Sequence, residues 1–138
     1  HGAEIDAKNI IGQTALHNNA MMNRLDVAQM LIDRGAEVDA KDIHELTPLH
    51  TSTVNNYLEM AGLLVENDAD IDALDDTGST PLQVAAEFFS LDVAVMLVAS
   101  GATTDWSVLS QWLATGAKLA IDNFKDDIWE ILQDSDQE

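Results

Sequence analysis

The chain of 138 residues has no cysteine and only six basic residues against 25 acidic ones. Without cysteine it can form no disulfide and cannot use a thiol nucleophile, a condition that fits an intracellular protein. The formal net charge of −19 disfavours nucleic acids and anionic membranes, since both attract basic residues. No apolar run approaches the roughly 20 residues of a membrane-spanning helix. These absences predict an intracellular protein, cytoplasmic or nuclear, that binds neither nucleic acid nor membrane.

The most informative feature that is present is an internal repeat. The segment Thr-Ala-Leu-His at 14–17 recurs as Thr-Pro-Leu-His at 47–50 and as Thr-Pro-Leu-Gln at 80–83, a step of 33 residues each time. A fixed step of this length is typical of repeat arrays, in which each unit buries its apolar face by stacking on a neighbour. The repeat therefore predicts an elongated array with a continuous core.

One repeat, residues 35–67, illustrates the predicted local structure. Its polar segment 36–46 reads as an extended turn or hairpin. Thr47 is expected to cap a short first helix, with Pro48 at the first helical position, where a missing N–H is tolerated. Asn56 suits the left-handed residue that ends this helix. The apolar residues of 60–65 follow at helical spacing and predict the buried stripe of a second helix.

These motifs closely resemble those of the ankyrin repeat family. The resemblance rests on the Thr-Pro-Leu-His turns, on Gly-Ala at the start of most units and on the paired aliphatic residues of each second helix. It implies an all-α solenoid of helix-turn-helix units joined by hairpin loops. We expect a single domain over 1–138, with repeats at about 2–34, 35–67 and 68–100 and a capping repeat at 101–138.

Some positions depart from the family pattern. Asp6, Asp39 and Asp72 stand where the family usually has Asn, which adds to the negative charge. Glu45 replaces a hairpin glycine, and Phe89 replaces the glycine that ends a first helix. A large side chain is strained in a left-handed conformation, so we expect the turn near Phe89 to be rebuilt.

The two ends of the chain differ. Residues 107–110 align with the Thr-Pro-Leu-His motif only if about six hairpin residues are deleted. The predicted helix that follows has one apolar face and one acidic face, as a capping repeat does. The cap contains the three tryptophans, Trp106, Trp112 and Trp129, which are expected to fill the end of the core. The chain opens at the Gly-Ala pair that elsewhere follows a second helix. We therefore expect the chain to be a fragment of a longer array.

The sequence offers no chemistry for catalysis or for a cofactor. His17 and His50 occupy equivalent places in adjacent repeats, so their side chains should run parallel rather than converge on a metal ion. The ankyrin resemblance implies instead that both imidazoles bond to backbone near the turn, with Gln83 in a similar role. The aspartates of 68–72 imitate a calcium loop, but Ala73 and Ser79 stand where that loop needs glycine and glutamate. We therefore predict no enzyme, no metal and no cofactor.

The resemblance implies that partners bind at the hairpin tips and the outer edge of the first helices. Nine side chains at these positions are apolar, more than solvated hairpins need, which favours a binding surface. The rival interpretation is that several of them lie between neighbouring hairpins. The candidate partner-binding residues are Ile10, Ile11, Gln13, Met21, Met22, Ile43, His44, Leu46, Val54, Asn55, Leu74, Asp76 and Phe88.

Aspartates surround these positions and predict an acidic rim, formed by Asp6, Asp39, Asp42, Asp72, Asp75 and Asp76. An apolar groove with such a rim would suit a protein or peptide with apolar anchors flanked by Lys or Arg. The sequence therefore predicts a non-enzymatic protein-interaction module, either a monomer or part of a larger chain. The alternative is a structural role as spacer and C-terminal cap of a longer array.

Overall fold

The computed structural model describes residues 4–103, which form three stacked helix-turn-helix units. The helices are α1 (Ala15–Met21), α2 (Leu25–Asp33), α3 (Pro48–Val54), α4 (Leu58–Glu66), α5 (Pro81–Phe88) and α6 (Leu91–Ala99). The connecting segments are turns, and the described residues contain no strand. The predicted capping repeat beyond residue 103, with its three tryptophans, lies outside the described residues.

Each first helix begins at the predicted threonine. The hydroxyl of Thr14 accepts a hydrogen bond from the backbone N–H of His17, and the His17 side chain reaches back to the backbone N–H of Thr14. The same reciprocal capping box occurs at Thr47 and Thr80, where a proline follows at the first helical position. The box satisfies two otherwise unpaired helix donors, so the recurrent motif determines where every first helix starts.

Two layers of helices form the array. The first helices α1, α3 and α5 pack in one row, and the second helices α2, α4 and α6 pack in another. Their shared core is built from leucines at equivalent positions of the first helices, Leu16, Leu49 and Leu82, and from Met60, Leu64, Val93 and Leu97 of the second helices. The repeat step thus carries a leucine to the same buried place in each of these three first helices.

Small side chains allow the helices to approach closely. Ala20, Thr53 and Ala86 are fully buried at equivalent positions of the three first helices. Ala28, Ala61 and Ala94 are buried in the same way in the second helices. Because helix separation depends on the side chains at the contact, we expect the helix axes to lie near the short end of the usual range of roughly 8–10 Å.

Left-handed residues recur at three places in each repeat. Among the described residues, φ is positive after each first helix, at Asn23, Asn56 and Phe89. It is also positive after each second helix, at Gly35, Asp68 and Gly101, and in each hairpin, at Gly12, Glu45 and Gly78. Glycine or asparagine adopts this conformation most easily. The loops therefore repeat in conformation even where their sequences differ.

The expectation that the turn near Phe89 is rebuilt was wrong. Phe89 has φ 56° and ψ 35°, and Asn56 has φ 55° at the equivalent position. The backbone N–H after each residue donates to the helix carbonyl five residues earlier, Ser90 to Ala85 at 2.9 Å and Tyr57 to Ser52 at 3.0 Å. Packing of the helix pair imposes this turn, so the phenylalanine accepts the strained conformation.

Candidate partner-binding surface

Two rows of exposed apolar side chains lie on the side of the array that carries the hairpins and the first helices. The tip row precedes the N-terminal ends of the first helices and consists of Ile10, Ile11, Ile43 and Leu74. The helix-end row lies at their C-terminal ends and consists of Met21, Met22, Val54 and Phe88. Exposure in the two rows runs from 36% at Val54 to 99% at Ile10. A seven-residue helix is roughly 10 Å long, so the predicted surface is two parallel lines rather than one patch.

Each hairpin is closed by one side-chain oxygen. The Oδ1 atom of Asp75 accepts hydrogen bonds from the backbone N–H groups of Thr77 and Ser79, both at 2.9 Å. Asp42 does the same for His44 and Leu46 in the second repeat, and the amide oxygen of Asn9 does it in the first. Since one acceptor bonds two donors in each hairpin, the three hairpins are closed by the same kind of turn.

Neighbouring hairpins are bonded to each other. The N–H of Ile43 donates to the carbonyl oxygen of Ile11 at 3.1 Å, and the N–H of Asp76 donates to that of His44 at 2.9 Å. The ammonium group of Lys8 donates to the carbonyl oxygen of Lys41 at 2.8 Å. Lys41 in turn donates to the carbonyl oxygen of Leu74 at 2.9 Å. Both Lys8 and Lys41 therefore join neighbouring repeats.

The aspartates predicted as an acidic rim also make internal hydrogen bonds. Asp6, Asp39 and Asp72 each accept from a backbone N–H at 2.8–2.9 Å, 31 residues further along the chain, at Glu37, Asp70 and Thr103. The carboxylate of Asp76 lies 3.3 Å from Nδ1 of His44 in the preceding hairpin. With Asp42 and Asp75 closing their own hairpins, all six rim residues hold the loops together while still contributing negative charge.

The two buried histidines join repeats as well as capping helices. Nδ1 of His17 accepts from the Thr14 backbone N–H at 3.1 Å, and its Nε2 lies 2.8 Å from the carbonyl oxygen of Leu46. A carbonyl can only accept, so Nε2 carries the proton and donates to it. His50 repeats this geometry toward Ser79 at 3.0 Å. The predicted role of a structural imidazole is confirmed, although the bond to the following repeat was not foreseen.

Two groups near the hairpins have shifted pKa values. Burial lowers the pKa of His50 below its usual 6.5, against the opposing effects of the Ser79 carbonyl and the Asp75 carboxylate. Partial burial acts to raise the pKa of Asp75, but hydrogen bonds from Thr77 and Ser79 outweigh it and hold the pKa below its usual 3.8. His50 is therefore neutral and Asp75 ionised at neutral pH.

Not all of the predicted site residues are exposed to solvent. His44, Asn55 and Asp76 are exposed along with both apolar rows, whereas Gln13 and Leu46 are half-buried at equivalent positions at the foot of the hairpin. Their half-burial is compatible with the rival interpretation, that some of these side chains lie between neighbouring hairpins. Sequence reasoning missed Phe89, which is 46% exposed beside Phe88. The signal was present, since a phenylalanine stood where the repeat pattern calls for glycine.

Two further kinds of site bear on function, a metal site and a membrane-spanning helix. Between residues 4 and 103, no group of three His, Asp or Glu side chains is placed to hold a metal ion. No helix in this same part of the chain is long and apolar enough to cross a membrane.

The stacked helix pairs and bonded hairpins define a solenoid repeat protein that presents a surface of loops and first helices. Residues 41–106 match the family model described as ankyrin repeats in three copies, and residues 11–43 match that of a single ankyrin repeat. The chain belongs to the ankyrin repeat family. No curated protein matches it significantly. Ankyrin repeats are generally protein–protein interaction modules.

Proposed function

We propose that this protein is a non-enzymatic interaction module that binds a protein or peptide segment on the face carrying the hairpins and first helices. The observation that carries the proposal is the pair of apolar rows on loops held by internal hydrogen bonds. Exposed apolar side chains on a rigid scaffold need little ordering on binding, so their burial contributes directly to affinity.

The charge of the chain supports a partner with basic residues beside its apolar anchors. The net charge is −19, and both hairpin lysines donate to backbone carbonyl groups. A partner with Lys or Arg flanks would be drawn to this surface, and the attraction would weaken as salt is added. Acidic and nucleic-acid partners would be repelled.

Substitution of the tip row tests the binding face. Ile43→Asp combined with Leu74→Asp alters two exposed residues, 58% and 50% accessible, and leaves the half-buried Leu46 in place. A matched control is Met30→Asp with Leu58→Asp, which changes two similarly exposed apolar residues on second helices, 41% and 42% accessible. Pull-down with mass spectrometry should recover the same partner with wild type and control but not with the tip-row variant. Equal recovery by both variants would reject the proposed face.

One observation favours the alternative role as a spacer in a longer array. In α2 only Ala28 is buried, whereas the equivalent stripe of α4 buries Met60, Ala61 and Leu64. The half-buried stripe of α2 is a surface on which a further repeat could stack. Fusing an ankyrin repeat before α1 should then raise the unfolding temperature, and an unchanged temperature would count against this role.

An intracellular location, cytoplasmic or nuclear, forms part of the same proposal and agrees with a chain that has no cysteine. Fluorescence imaging of the tagged protein would test it.

A further inference from the structure

We propose that Phe88 and Phe89, with the carboxylates of Glu87 and Asp92, form the site that binds an arginine side chain of the partner segment. This inference rests on the proposed function and names the group that the third repeat recognises. It adds Phe89 and two acidic residues to the helix-end row.

The aromatic pair is particular to the third repeat. Phe88 is 50% and Phe89 46% exposed. The equivalent positions hold Met22 and Asn23 in the first repeat and two asparagines, 55 and 56, in the second. Repetition of the fold therefore does not require two aromatic residues at this corner.

The backbone of Phe89 argues that its side chain serves something other than the fold. Its φ of 56° is a conformation that asparagine adopts more easily, and asparagine occupies the two equivalent positions. Phe89 is 46% exposed, so burial offsets only part of this strain. Residues in strained backbone conformations cluster at sites that contact a ligand.

Two carboxylates lie close to the aromatic pair in sequence. Glu87 is exposed and directly precedes Phe88, and Asp92 lies exposed in the first turn of α6. Nδ2 of Asn56, at the equivalent turn of the second repeat, donates to a carboxylate oxygen of Asp92 at 3.3 Å. Residues 42–117 contain no lysine or arginine. Among residues 4–103 neither carboxylate takes part in a salt bridge, so both are available to a cationic group of a partner.

Arginine fits this combination better than other side chains. Its planar guanidinium stacks on aromatic rings and donates to carboxylates at its edge, whereas an acidic side chain would be repelled and an aliphatic one would leave the carboxylates unpaired. Adjacent apolar residues of the same segment could continue onto Val54 and Met22 of the helix-end row. We therefore expect a partner segment in which an arginine stands next to apolar residues in the sequence.

A random 12-residue peptide library displayed on phage, selected against the whole chain, supplies a defined probe. Enriched peptides should carry arginine beside an apolar residue, and changing that arginine to glutamine should weaken binding about tenfold or more by isothermal titration calorimetry. The protein variant F88S/F89N should lose binding to the same extent, since asparagine keeps the left-handed turn. The variant E87Q/D92N should bind more weakly and with less dependence on salt.

The two proposals fail in different ways. Peptides that lose binding to Ile43→Asp/Leu74→Asp but bind F88S/F89N within about twofold would overturn the arginine site and leave the proposed binding face standing. Enriched peptides without arginine would also overturn it. A selection that enriches no peptide would contradict both proposals. Circular dichroism of each variant confirms that loss of binding does not reflect unfolding.

Discussion

The ring of His50 donates its Nε2–H to the carbonyl oxygen of Ser79, 29 residues further along the chain, at 3.0 Å. Its other nitrogen, Nδ1, accepts from the backbone N–H of Thr47 at 3.2 Å. One imidazole therefore starts a helix and holds the next hairpin. Only the neutral ring can do both, because a proton on Nδ1 would face a second donor.

We expect the protein to become less stable as the pH falls below about 6.5. The pKa of His50 is lower in the folded chain than its usual value, so the unfolded chain binds more protons as the pH falls through 6.5 toward the folded pKa. Full stability is thus present above 6.5 and is lost below it. Urea unfolding at a series of pH values measures the effect.

A glutamine at this position provides the control for the pH effect. Gln83 completes the third capping box, with the Thr80 N–H donating to its side-chain oxygen at 2.9 Å. His50→Gln should flatten the pH dependence between about pH 7 and 5, while costing about 1 kcal/mol at neutral pH for an impaired bond to Ser79. An unaltered profile in His50→Gln would show that another group is responsible.

Removing the acceptor that closes the third hairpin should destabilise the protein. Asp75→Ala leaves the N–H groups of Thr77 and Ser79 unpaired and should cost about 1–2 kcal/mol, measured by thermal or urea unfolding. Asp75→Asn should stay within about 1 kcal/mol of wild type, since Asn9 closes the first hairpin in the same way. Because the pKa of Asp75 is lowered, its contribution is present above pH 3.8 and is lost as the pH falls below that value. If Ala and Asn behave alike, the side-chain bonds do not stabilise the hairpin.

Relieving the backbone at Phe89 should stabilise the array. Phe89→Asn or Phe89→Gly keeps the left-handed turn with a residue that adopts it readily, and we expect a gain of about 1 kcal/mol in the free energy of unfolding. Asn56→Gly, at the equivalent turn, should gain less, since asparagine is already suited to it, and it removes a bond to Val93. A loss of stability in Phe89→Asn would mean that the ring contributes to packing.

Two glycines should respond to alanine in opposite directions. Gly62 lies inside α4, and a Cβ there would meet no atom within 4 Å, so Gly62→Ala should stabilise by about 0.5–1 kcal/mol. At Gly12, with φ +78°, a Cβ would come within 2.8 Å of the Ile43 backbone nitrogen. Gly12→Ala should therefore destabilise by about 1–3 kcal/mol. Equal responses in chemical denaturation would contradict this difference.

Much of the fold was predictable because its determinants are local. Thr47 and Pro48 start a helix through their own side chains, and Asn56 ends it through its own backbone preference. The candidate surface was predictable only in outline. The bond from the Lys8 ammonium group to the Lys41 carbonyl oxygen depends on a hairpin contributed by another repeat, and the half-burial of Leu46 is not encoded in its own repeat motif.

The amino-acid sequence alone determined the repeat, the capping boxes, the buried stripe and the family, because each depends on residues a few positions apart and recurs in phase. Only the tertiary structure decided how the repeats are joined, since the bonds from His17, Asp39 and Lys41 reach 29–33 residues ahead. Packing also decided that Phe89 takes a left-handed turn and that the apolar side chains form two rows. Whether a side chain is buried or exposed depends on the neighbouring repeats that stack against it, and the order of residues along the chain does not show those neighbours.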